Sequence, residues 1–144
     1  MSRPIELRLM DIQEAIDSCF RYQKYLEVSD TQEMALDAIL RNLAIIGEAV
    51  NHLPKALKDQ APEVEWRAIV GLRNFLVHQY FSVSAEEIQD ILNEDLKSLR
   101  ATVENFINIG GRVEPDGARF LRELSMQEDI THDDENLSLD KPAE

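Results

Sequence analysis

In Trp66-Arg67-Ala68-Ile69-Val70-Gly71-Leu72-Arg73-Asn74-Phe75-Leu76-Val77-His78-Gln79-Tyr80, apolar residues recur at helical steps. Trp66, Ile69, Val70, Leu72, Leu76 and Val77 supply the apolar surface of a helix that starts near Glu65. Gly71 weakens a helix interior by roughly 1 kcal/mol relative to Ala, so close packing is expected there. The last eight residues also carry a cation, an amide, an imidazole and a phenol: Arg73, Asn74, His78 and Tyr80. They surround Phe75, Leu76 and Val77, which read as buried, and unpaired polar groups are costly to bury.

Helix geometry limits what this cluster can do. Each residue advances about 100°, so Asn74 and His78 share a face, whereas Arg73 and His78 lie about 140° apart. One unbroken helix cannot aim all four groups at one small target. The helix is therefore expected to end or unwind near residues 77–79, or the site is completed by a second chain.

Outward from this segment, the pattern stays helical. Ile5, Leu9, Ile12, Ile16, Cys19, Phe20 and Leu26 predict a first helix over 4–26, with Pro4 in its first turn. Asp30 and Glu33 have the form of a capping box opening a second helix over 31–52, striped by Leu36, Ile39, Leu40, Leu43, Ile46, Val50 and Leu53. Within it, Gly47 would admit a close neighbour. Glu48 is either a solvated acid or the partner of a buried cation such as Arg73. Pro54 stops this helix, and His52 near its end suits the helix dipole when protonated. A short piece follows at 55–60. Ser84 and Glu87 form a second capping box, opening a helix over 85–109 with Ile88, Leu92, Leu96, Leu99, Val103 and Phe106 as its stripe. Gly110 and Gly111 are expected to end it. A turn at 115–117 and a short helix over 118–126 precede an acidic, mobile tail. No stretch alternates apolar and polar over a strand length. The fold class is all-α: an up-down bundle of four long helices plus short pieces, with a helical domain at 1–112 and an extension at 113–144.

Composition bounds the function. The 144 residues suffice for one domain with a core. No apolar run approaches the roughly 20 residues that span a bilayer, and the first residues lack a signal-peptide core, so cytoplasmic residence is the default. The single Cys19 excludes an intramolecular disulfide, belongs to no metal-binding cluster and reads as a small core residue. The formal net charge of −13 argues against broad non-specific nucleic-acid binding.

Two accounts of the 73–80 cluster stand on the residues alone. In the structural one, Arg73 pairs with Glu48 or another acid, His78 caps a helix terminus, and Tyr80 buries its ring. In the chemical one, the planar fork of Arg73 meets phosphate oxygens and His78 moves a proton near neutral pH, with Asn74 orienting the imidazole. RNA carries its own nucleophile, the 2′-hydroxyl, so a metal-free ribonuclease needs mainly a proton acceptor, a proton donor and a cation. One chain offers one His in the cluster, whereas a symmetric homodimer offers two.

Arg-Asn-x-x-x-His-x-Tyr at Arg73, Asn74, His78 and Tyr80 resembles the signature of HEPN-domain toxins of the HepT type. The likeness extends to Ile46-Gly47-Glu48-Ala49, to Trp66 through Asn74, to Leu76 through Phe81 and to Asp95-Leu96, and covers roughly residues 5–110. It implies a HEPN-like bundle that forms a homodimer with the motifs lining a cleft between protomers. It also implies a metal-independent ribonuclease without a cofactor. Arg73 then stabilises the scissile phosphate, His78 is the general acid/base, and Asn74 supports the geometry, with Glu48 in a supporting place. Such toxins belong to type VII-like toxin–antitoxin modules. Their MntA-type nucleotidyltransferase antitoxins attach AMP to the motif tyrosine, which maps to Tyr80. The alternative is a non-catalytic partner or substrate-positioning module of a nucleotidyltransferase.

Overall fold

A computed structural model describes residues 3–112, and within them it is helical with no strand. Helix α1 (Ile5–Gln23) passes through a one-turn 3-10 segment (Lys24–Glu27) to α2 (Gln32–Asn51). A four-residue α3 (Lys55–Lys58) leads to α4 (Trp66–Gln79) and a second 3-10 turn (Tyr80–Ser82). The last rod is continuous: α5 (Ala85–Ile91), a π-helical stretch (Leu92–Leu96) and α6 (Lys97–Arg112). Helix α2 packs against α1 on one side and α4 on the other, while α6 lies along α1. This is the all-α bundle that the periodicity predicts.

The core follows the apolar stripes. Ile5, Leu9, Ile12, Ile16, Ile39, Leu43, Ile46, Ile88, Leu92, Leu99 and Val103 are fully buried. Cys19 joins them, and burial pushes its thiol up to about 12, as expected of a packing residue. The α4 stripe is narrower than expected. Ile69, Leu72 and Leu76 are buried, but Val77 is 70% exposed, Phe75 lies partly in solvent, and Phe81 is wholly exposed.

Local capping explains where elements begin. The Ser84 hydroxyl accepts a hydrogen bond from the Glu87 amide at 3.1 Å, opening α5 as expected. The capping box at Asp30 and Glu33 does not form. Thr31 occupies the N-cap position in αR conformation, and its hydroxyl donates to the Tyr25 carbonyl at 2.9 Å. Gln32 donates to the Leu26 carbonyl at 2.9 Å. The start of α2 thus serves the orphan carbonyls of the turn before it. Gly110 and Gly111 do not stop α6, which runs through them to Arg112. Glycine permits the left-handed C-cap conformation without imposing it. The expected turn at 115–117 and helix over 118–126 lie outside the described residues.

The two glycines facing α4 behave differently. A Cβ on Gly47 would sit 3.1 Å from the Ile69 carbonyl oxygen and 3.4 Å from the Arg73 amide nitrogen. The α2–α4 approach therefore depends on glycine at that position. Close packing is expected at Gly71, yet a Cβ there would meet nothing within 4 Å among the described residues.

Three outcomes follow for equilibrium unfolding in urea. Gly47→Ala should destabilise by about 1–2 kcal/mol, because the obstructed atoms are helix backbone and cannot rotate away. Gly71→Ala should stabilise by up to about 1 kcal/mol, because only helix propensity changes. Asp95, in the π stretch, has its pKa raised by partial burial and by neighbouring Glu65. The folded state therefore holds this proton more tightly than the unfolded chain, and ionised Asp95 opposes folding. Asp95→Asn should stabilise at pH 7, with the gain fading as pH falls through the raised folded value towards the ordinary carboxylate value.

Candidate active site

The placement of α4 starts at its first residue. The Trp66 indole N–H donates to the Lys58 and Ala61 carbonyls, each at 3.0 Å, and so ties α4 to the end of α3. Ile69, Leu72 and Leu76 hold the inward face against the core. With the inward face seated, the remaining azimuths follow from helix geometry.

Arg73 leaves α4 on the side of α2. Its guanidinium donates to a Glu48 carboxylate oxygen at 2.5 Å. The other Glu48 oxygen meets His52 Nε2 at 3.2 Å, one turn along α2. Glu48 therefore bridges the motif arginine and a histidine. His52 thus does more than face the helix dipole, and the i, i+4 spacing of Glu48 and His52 is the signal in the sequence for such a pair. Of the two readings of Glu48, the ion pair is the one seen, yet it is also solvated, with Arg73 and Glu48 side chains 57% and 47% exposed.

Beside this pair runs a groove of about 670 Å³ between α1 and α2. Arg73 and Glu48 form one part of its wall, and Arg8, Arg41 and Ile45 line it further along. Asn74 and His78 are not among its lining residues. Both are exposed, and neither side chain has a hydrogen-bond partner among the described residues. The structure thus brings Arg73, Glu48 and His52 together and leaves Asn74 and His78 apart, on a separate face of α4.

Helix α4 stays α-helical through Gln79, then tightens to a 3-10 turn at Tyr80. Gln79 takes φ −118° and ψ 12°, and its carbonyl accepts from the Ser82 hydroxyl at 3.1 Å. The unwinding expected near 77–79 therefore comes just after His78. It re-aims the chain from Tyr80 onwards but leaves His78 in phase with Arg73, about 140° away. The Tyr80 side chain lies outside what the structure describes. Phe75 and Val77, read as buried, are instead exposed on either side of His78, and Phe81 beyond the helix is exposed too. Among the described residues, no three His, Cys, Asp or Glu side chains converge on a metal position. No helix of the described residues is long and apolar enough to cross a membrane.

Comparison with known proteins gives a consistent result. A protein of Thermococcus cleftensis named "Probable ribonuclease HepT" is 32% identical over 106 residues, covering 72% of this chain and 96% of that protein. A Methanocaldococcus jannaschii protein that carries an RNase name is 31% identical over 104 residues, 71% of this chain and 95% of its own length. Another RNase-named protein, from Caldanaerobacter subterraneus subsp. tengcongensis, is 36% identical over 70 residues, 49% of this chain and 62% of that one. No solved structure matches the chain at a significant level. Residues 12–106, which hold α2, α4 and the whole 73–80 cluster, match the family described as Ribonuclease HepT-like. With about two-thirds of its length matching that family, and relatives more than 30% identical over most of their own length, the chain belongs to the HepT-like ribonuclease family.

Proposed function

We propose that the protein is a metal-independent endoribonuclease toxin that acts as a homodimer, with the 73–80 segments of two protomers meeting across one cleft. The observation that carries this reading is the divergence of Arg73 and His78 on an unbroken helix. A single protomer presents its cation and its imidazole about 140° apart, while a two-fold pairing gives each cleft both kinds of group. The exposed Phe75 and Val77, flanking His78 on α4, supply apolar area for such a pairing.

In this mechanism a scissile phosphate replaces Glu48 as the partner of Arg73. The bidentate guanidinium fork then stabilises the charge that develops on the phosphoryl oxygens. His78 removes the proton from the 2′-hydroxyl or returns one to the leaving 5′-oxygen. Asn74, one turn before His78 on the same face, positions the imidazole. Glu48 parks the guanidinium when RNA is absent. No cofactor takes part.

Control of the toxin fits the same cleft. A cognate MntA-type nucleotidyltransferase would transfer AMP from ATP to the Tyr80 hydroxyl, releasing pyrophosphate. The added phosphate and nucleotide bulk would then occupy the site where RNA must lie. The module is type VII-like, and the site of action is cytoplasmic. A second reading, a non-catalytic partner of the nucleotidyltransferase, draws on the net charge of −13, which opposes RNA binding outside a local basic cleft.

Three measurements decide between these readings. His78→Ala should abolish RNA cleavage without loss of thermal stability, and wild-type cleavage in chelator should leave cyclic phosphate ends. Cleavage surviving in the variant, or a strict metal requirement, would sink the proposal. Arg73→Ala should change folding stability by less than about 1 kcal/mol, as an exposed ion pair contributes little; a larger loss would make Arg73 a structural residue. Intact mass after co-expression with the nucleotidyltransferase should rise in AMP steps, and Tyr80→Phe should not.

A further inference from the structure

The face of α4 that carries His78 continues beyond the motif. Steps of four, three and four residues link Arg67, Gly71, Asn74 and His78 into one stripe. At the Arg67 end of this stripe lies a second cavity, of about 610 Å³, lined by residues of α2, α3 and α4. Its cations are Lys55, Lys58 and Arg67, against the two acids Asp59 and Glu65. In a chain of net charge −13 this local excess runs against the overall field. Lys55 and Arg67 are exposed, and neither enters an ion pair among the described residues.

Two further features point to an occupant. Trp66 lines the cavity, and its indole N–H is already bonded to the Lys58 and Ala61 carbonyls, so the half-buried ring is held in place. A fixed aromatic ring beside the exposed Lys55 and Arg67 is the arrangement on which single-stranded nucleic acid stacks its bases and rests its phosphates. Gly71 also lines the cavity, and the space that its Cβ would take is empty. Nothing among the described residues packs against that glycine. It leaves a notch in the stripe between the cavity and Asn74, where a strand can approach the helix backbone.

We propose that Lys55, Arg67 and Trp66 form an accessory subsite for single-stranded RNA, joined to His78 through the Gly71 notch. The proposal rests on the ribonuclease reading. Eleven residues of helix separate Arg67 from His78, about 16 Å. The subsite therefore holds the strand a few nucleotides away from the bond that is cut. The fixed Trp66 ring, on which a base can stack, favours RNA over a second copy of this chain as occupant. Lys55 and Arg67 act here as positioning residues through phosphate contacts, with no part in the chemical step.

The test uses the full-length chain carrying His78→Ala, so that RNA stays intact, and a labelled single-stranded RNA of about twelve nucleotides. Fluorescence anisotropy is read over a range of salt concentrations. Adding Lys55→Gln and Arg67→Gln should weaken binding about tenfold and lower the log–log salt slope by roughly 1.4. Gly71→Leu, which fills the notch, should weaken binding with no change of oligomeric state. Unchanged affinity and slope in the double variant would overturn the subsite. So would a Gly71→Leu protein that changes its oligomeric state yet binds RNA normally, since the notch would then belong to a protein interface. Cleavage by the chain with an intact motif is measured separately. If it cleaves while the double variant binds undiminished, the subsite alone fails. If it binds RNA in the charge-dependent way but never cleaves, the subsite stands and the ribonuclease reading fails.

Discussion

The close approach of α2 and α4 at Gly47 is the constraint on which the candidate site depends. With no side chain at this position, the Ile69 carbonyl and the Arg73 amide come within contact distance of α2. Arg73 is thereby carried to the flank of α2, where Glu48, the next residue after the glycine, meets its guanidinium. The neighbouring residues therefore have separate tasks. Gly47 sets the distance between the helices, and Glu48 supplies the charge at that distance. Buried Ile46 and Val50 on the same helix hold both in register with the core.

Much of this was legible from residue spacing. The stripes in α1, α2 and the last rod identified the core nearly residue by residue, because burial of one face is what makes those helices stable. The azimuthal separation of Arg73 and His78 was equally readable, since it depends only on helical pitch. Glu48 was legible as one of two options, and the choice required knowing how closely α2 and α4 approach.

What could not be read depended on tertiary context. Phe75 and Val77 look like core residues, yet they fall on exposed parts of α4. Sequence cannot separate an apolar residue facing the core from one facing a partner. Gly71 and Gly47 are indistinguishable as letters, but only Gly47 has a helix against it. The Asp30/Glu33 pattern failed because the turn at Lys24–Glu27 leaves carbonyls that Thr31 and Gln32 satisfy instead. Gly110 and Gly111 illustrate the same point: glycine is able to end a helix but does not by itself do so.

The Glu48–Arg73 pair also bears on how RNA affinity responds to ionic strength. A phosphate that binds a free surface cation releases the small cations condensed around it, with nothing taken up in return. Arg73 is neutralised by a tethered carboxylate instead. A phosphate that takes its place exchanges one fixed anion for another, and Glu48 is left to find His52 or a sodium ion from the buffer. Fewer ions are then released than phosphates are bound. A contact count inferred from salt titration would therefore fall short of the true number at this site, and the shortfall would come from the ion pair itself.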